Sequence, residues 1–251
     1  MIYRMLPPVD IHHISHELAR LGEHLQRAYD ERPGVLDSGP RFLLDGLGDL
    51  LDTLSDTAAN TPAESARALH AATGGTPDAL LAHGLDLLAQ LADQAERLSL
   101  PRTASGLERL SLALTCWMLR LGAELDRPEF VVNATAGLAN TLHATDDLAG
   151  LYALMTEMVE GMSPARIQDS GNFPSRPWRV LLLNRAIVAT RSQRPALMVA
   201  AFDSLVEHLP EDAPDFFREG MGQMEALQYP APVRELMQRY YDRWCTGQRL
   251  H

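Results

Sequence analysis

Leu107, Leu110, Leu114, Trp117, Leu121 and Leu125 succeed one another at steps of three and four residues. Large apolar side chains so spaced form one stripe only on an α-helix, whose period is about 3.6 residues. Leu43, Leu47, Leu50, Leu51 and Leu54 repeat the pattern, as do Leu80, Leu81, Leu85, Leu88 and Leu91. No segment alternates apolar and polar residues for long enough to argue for a half-buried strand. Leu and Ala recur throughout while β-branched runs are almost absent, so intrinsic propensity agrees with the pattern. Without a sheet to cover, each apolar stripe has to be buried against another helix. The expected fold class is all-α: antiparallel helix hairpins stacked as an α-solenoid, or an irregular helical bundle.

Proline marks many of the helix starts. It lacks the N–H that would have no intrahelical partner in the first turn, so it is tolerated there. Thr61-Pro62-Ala63-Glu64 reads as a cap, a proline at the first helical position and the acid of a capping box. Thr76-Pro77-Asp78, Arg127-Pro128-Glu129 and Ala213-Pro214-Asp215 repeat the proline-then-acid order, which also places carboxylates at the positive end of the helix dipole. These signals predict helices over 10–30, 41–58, 62–72, 77–98, 104–125, 128–143, 146–161, 177–192, 195–209, 214–227 and 231–246. A chain of 251 residues, 46% of them hydrophobic, can bury a sizeable core. One α-helical domain over 1–251 is expected, divisible into an N-terminal helical part at 1–125 and a repeat-like hairpin part at 126–251.

In the second half the expected helices begin about 18 residues apart, so that two of them make a unit of about 36, a spacing suited to repeated hairpins. The stretch from Pro195 to Pro210 carries Phe202 eight residues before its closing proline, and the preceding helix offers Ala186 and Ala189. It resembles the second helix of a tetratricopeptide unit, although the early Trp and the Gly of that pattern are missing and Leu205 stands where Ala is usual. The resemblance, over about residues 177–246, implies a concave groove lined by the first helix of each hairpin. Asn184 and Arg191 would fall on that face, where such arrays hold an extended peptide or its terminal carboxylate. Asn133 and Asn140 show the same seven-residue spacing one hairpin earlier, with Gly137 between them. Ordinary solvent exposure is the alternative, and the more usual, account of the asparagines.

A net charge of −11 opposes nonspecific binding to nucleic acid and to anionic membrane surfaces. All 22 basic residues are arginine, which removes P-loop, Schiff-base and kinase-type lysines together. Cys116 and Cys245 lie far apart and outside any CxxC, and read as reduced structural thiols. No run approaches the about 20 apolar residues that span a bilayer, and the N-terminus lacks a signal-peptide core, so a cytoplasmic protein is expected.

Charge is uneven along the chain. From 163 to 195 there are six arginines, Arg166, Arg176, Arg179, Arg185, Arg191 and Arg194, against the single acid Asp169. This interval begins with a Pro-, Ser- and Gly-rich interruption at 163–177 that includes Asn172, longer than a usual hairpin connection. Arginine holds carboxylate or phosphate in a planar fork, and a helix beginning at Pro177 adds its N-terminal amides. Arg166, Asn172, Arg176, Trp178 and Arg179 are thus candidates for binding an acidic peptide or a small anion. The alternative is that these arginines pair with acids of neighbouring helices.

His12 and His16 stand four residues apart on the first helix, a spacing that lets two imidazoles chelate a transition metal, and His24 is a conceivable third ligand. The position required for the second histidine of a zinc-peptidase motif after His16-Glu17 is Arg20. No GxSxG, GxGxxG or CxxC is present, and no cofactor is indicated beyond that metal. Met155, Met158, Met162, Met221 and Met224 read as core filler, and Tyr240, Tyr241 and Trp244 as aromatics packed inward or exposed for docking. The reading is of a protein- or peptide-binding adaptor rather than an enzyme. A metal-dependent enzyme or regulator using His12 and His16, and a structural homodimer pairing Leu-rich helix faces, are its alternatives.

Overall fold

The computed structural model describes residues 6–32, 34–59, 61–162 and 176–246. These residues form eleven α-helices and no β-strand: α1 (Ile11–Glu31), α2 (Arg41–Asp56), α3 (Pro62–Thr73), α4 (Pro77–Arg97), α5 (Pro101–Arg120), α6 (Glu129–Thr141), α7 (Thr145–Glu160), α8 (Pro177–Arg191), α9 (Pro195–His208), α10 (Ala213–Ala226) and α11 (Ala231–Tyr241). No described helix is long and apolar enough to cross a membrane. The side chain of Asp10 caps α1 by accepting from the His13 amide at 2.9 Å, and Thr61 and Thr76 cap α3 and α4 in the same way.

Two helices depart from the expected bounds by more than two residues. Proline 101 takes the first position of α5, three residues before the predicted start, by the rule that opens its neighbours. The same helix stops at Arg120 because Gly122 turns left-handed (φ 88°) and the Ala123 amide folds back to the Met118 carbonyl. Leu125 is nonetheless buried, its amide donating to Gly161 at 2.7 Å. The other, α11, ends at Tyr241 and is followed by a π-turn over Asp242–Thr246 rather than continuing as regular helix.

Two compact units divide the chain, the division passing through α6 between Leu138 and Ala139. In the first, α1 packs on α2 and α5, and α4 packs on the same two helices, so α1, α2, α4 and α5 close a four-helix ring, with the short α3 against α2 and α4. Leu25, Leu47, Leu51, Leu54, Leu85, Leu88, Leu91, Leu107 and Leu114 fill it. Each such leucine contributes about 1.5–3 kcal/mol on burial, which offsets the ordering of the helices. Glycine sets how closely the helices approach. A Cβ on Gly106 of α5 would lie 2.7 Å from the Leu21 side chain of α1, and one on Gly84 of α4 would lie 2.9 Å from Leu114 and 3.1 Å from Leu50. Replacing Gly106 by Val is expected to lower stability by about 1–3 kcal/mol through overpacking. Gly48→Ala in α2, where a Cβ meets nothing within 4 Å, is expected to raise it by about 0.5–1 kcal/mol. Urea denaturation of the two variants against the parent checks both signs.

The second unit holds Ala139–Val159 and α8–α11. Here α8 pairs with α9, α10 pairs with α11, and α9 packs on α11. The four helices start at Pro177, Pro195, Ala213 and Ala231, each 18 residues after the last. Both hairpin turns are built alike: α8 and α10 end on a glutamine in the left-handed conformation, Gln193 (φ 56°) and Gln228 (φ 51°), with Pro195 and Pro230 two residues on. Phe202 of α9 packs edge-to-face on Phe216, Phe217 and Tyr240, ring centroids 5.1–5.6 Å apart, so one aromatic cluster joins α9, α10 and α11. Ala186, Ala189 and Leu205 are fully buried in the same unit.

Tyr240 closes that cluster by donating its phenol to Asp203 at 2.6 Å. Burial first, then the hydrogen bond to the Asp203 carboxylate, pushes its pKa up from 10.0 to about 12. A raised folded-state pKa means that the contribution is whole below the unfolded value of 10.0 and is lost as pH rises through about 12. Tyr240→Phe is expected to lower stability near neutral pH and to flatten its decline between pH 10 and about 12, as read by urea denaturation across that range.

Candidate functional site

Most of the arginines that make 163–195 basic serve internal contacts of the second unit. Arg179, in the first turn of α8, grips Asp212 before α10 with both Nε and Nη2, Nε reaching Oδ2 at 2.9 Å, and the carboxylate pushes its pKa further up. Arg185 is buried, donates to the Thr156 hydroxyl and the Tyr152 phenol at 2.9 Å each, and lies 4.9 Å over the Tyr152 ring. Arg194 pairs with Asp146 at 2.6 Å. Arg176 has a partner of its own, and Trp178 is a core residue edge-on to His208. Arg166 and Asn172 lie outside the described residues.

Arg191, at the last position of α8, closes a helix end. Its Nη1 donates to the Ala139 carbonyl at 2.5 Å and its Nη2 to the Leu142 carbonyl at 2.6 Å. These carbonyls sit where α6 runs out of intrahelical donors, so the guanidinium supplies the missing bonds and meets the negative end of the helix dipole. Asn133, Gly137 and Asn140 are exposed along α6, and Asn184 is half-buried in α8.

Beside Arg191 opens a groove of about 390 Å³ between α8 and α10. Ile187, Thr190 and Arg191 form one wall, Phe216, Glu219, Gln223 and Leu227 the other, with Met224 and Met237 beneath. The arrangement follows from the packing: α9 and α11 contact each other, and α8 and α10, the first helices of their hairpins, border the gap left on the other side. Two large apolar side chains stay in solvent here, Ile187 44% exposed and Leu227 61% exposed. Tyr229 also lines the groove, and burial holds its phenol neutral to higher pH than usual, against a smaller opposing effect of Arg191. Apolar walls with few polar groups suit binding of an apolar ligand.

The sequence put Asn184 and Arg191 together on a groove face; Arg191 lines this groove and Asn184 is not among its lining, and Ile187, Gln223, Leu227 and Tyr229 were missed. Ile187 is one apolar residue in a helix rich in them, and Leu227 follows the last helical turn of α10. His12 and His16 are exposed on α1, and no three His, Cys, Asp or Glu side chains among the described residues are gathered as a metal set. His24 turns to α5 instead, its Nδ1 2.8 Å from the Thr103 hydroxyl. Cys116 is buried, and the Cys245 thiol donates to the Pro214 carbonyl, burial raising its pKa.

Comparison with protein-family profiles, curated protein sequences and solved structures found no match to this chain. Arg191→Met removes two charge-assisted bonds from a helix terminus and is expected to lower the stability of the chain by about 1.5–3 kcal/mol. Guanidinium denaturation would measure the loss, and faster hydrogen exchange at the end of α6 would place it.

Proposed function

We propose that the chain is a helical-hairpin binding scaffold whose second unit takes an extended protein segment in the groove between α8 and α10. The single observation that carries this reading is the pair of exposed apolar side chains, Ile187 and Leu227, on facing walls of a formed groove. In arrays of tetratricopeptide type the concave groove belongs to the first helix of each hairpin, which is the place of α8 and α10 here. The even 18-residue spacing of starts and the matched left-handed glutamine turns support that finer likeness.

The groove's chemistry narrows the occupant. From Phe216 to Leu227 the α10 wall is about 16 Å long at about 1.5 Å per residue, room for about five residues of extended chain. Arg191 has its fork occupied by two carbonyls, and Glu219 is the one carboxylate of the lining. An apolar segment with a basic residue near Glu219 therefore fits better than an acidic one. This reading retains the protein partner expected from the sequence and moves its contact from the arginines to the apolar walls.

Selection from a random peptide display library against the purified chain is expected to enrich segments with two large apolar residues and one Arg or Lys. Fluorescence polarisation should then give binding at least tenfold weaker for Ile187→Asp and for Leu227→Asp. Failure to enrich any sequence, parental affinity in either variant, or a homodimer by light scattering that these substitutions dissociate would each refute the proposal.

A further inference from the structure

Four arginines converge on a cleft of about 770 Å³ between α1 and α5 in the first unit, far in sequence from the basic interval 163–195. Arg20 and Arg27 come from α1, and Arg102 and Arg109 from α5. In each pair the two residues are seven positions apart, two helical turns or about 10 Å. The helices run antiparallel, because Leu21 meets Gly106 while His24 meets Thr103. Arg27 therefore faces the Arg102 end of the cleft and Arg20 the Arg109 end. Between them lie the His24 ring, the Thr103 hydroxyl and Ser105.

Counter-charge is incomplete, with Glu108 of α5 acting on Arg109. Glu17 takes up Arg20 at 2.8 Å, and Glu23 is the one acid in the lining. Arg27, Arg102 and Arg109 have no ion-pair partner among the described residues. In a chain of net charge −11 with 33 carboxylates, the lining of this cleft holds four arginines against one acid, with Glu108 interacting with Arg109 from beside it. Like charges facing across adjacent helices oppose packing, and a bound anion would relieve them. The positive end of α5, beginning at Pro101, adds to the same field.

We propose that this cleft is an anion site for a small ligand carrying two or more phosphate groups. Phosphate matches the planar fork of arginine, and Arg27 with Arg102 at one end and Arg109 at the other suit charge spread along the ligand. Small size follows from the rest of the surface. A long polyanion would extend beyond the cleft into the field of an acidic protein, whereas a compact one stays within a Debye length, about 8 Å at physiological salt, of the arginines. The proposal stands independently of the α8/α10 groove.

Calorimetric titration of the full chain with sodium triphosphate at physiological ionic strength tests it. Saturable one-to-one binding is expected, weakened at least tenfold in the double variant Arg27→Gln/Arg102→Gln, with sulfate and citrate at matched ionic strength much weaker. Without ligand the double variant should melt at the same temperature as the parent or higher, since its change relieves repulsion. Absence of binding, equal binding by the variant, equal binding of citrate, or a clearly lower melting temperature for the ligand-free variant would each overturn the assignment.

Discussion

Every described helix carries leucine or other large apolar side chains that water disfavours, and the described residues contain no sheet to cover them. Burial of helix against helix is accordingly the constraint on which the rest depends. The two units meet it differently. In the first, a ring of four helices shares one interior, and Gly84 and Gly106 let leucines of adjacent helices sink close to the backbone. In the second, hairpins bury their faces in succession and an aromatic cluster centred on Phe202 fastens α9, α10 and α11 together.

That difference decides where surface is left over. The ring buries most of its leucines, and Arg27 and Arg102 flank its α1/α5 seam, while Phe42 of α2 stays 84% exposed. Successive hairpins in contact along α9 and α11 leave apolar residues of α8 and α10 facing a gap. The two proposed binding regions thus follow from two modes of helix packing, an ionic cleft in one unit and an apolar groove in the other.

Arginine carries much of the polar architecture because the chain has no lysine. A guanidinium can satisfy two acceptors at once in a fixed plane, and the structure uses this at Asp212, at the Thr156 and Tyr152 hydroxyls, and at the end of α6. Along the sequence, Arg179, Arg185, Arg191 and Arg194 look like a ligand-binding run. In the fold, each points to a different acceptor, so their proximity in sequence does not make a common basic surface.

Local chemistry made a great deal legible. The three-and-four spacing of leucines and the prolines at helix starts give eleven helices, most within two or three residues of their bounds, because amphipathic period and N-terminal capping are properties of short segments. Even the premature end of α5 had a local sign in Gly122, outweighed by the continuing leucine stripe through Leu125. The even spacing of α8–α11 was likewise readable, since connection lengths are written in the chain. Tertiary structure alone decided that α1 and α5 lie side by side with Arg20, Arg27, Arg102 and Arg109 along one cleft, that Ile187 and Leu227 stay exposed, and that Arg191 spends its hydrogen bonds on α6. Those outcomes depend on which helices become neighbours and at what register, and pairings of residues tens of positions apart leave no periodic trace in one sequence.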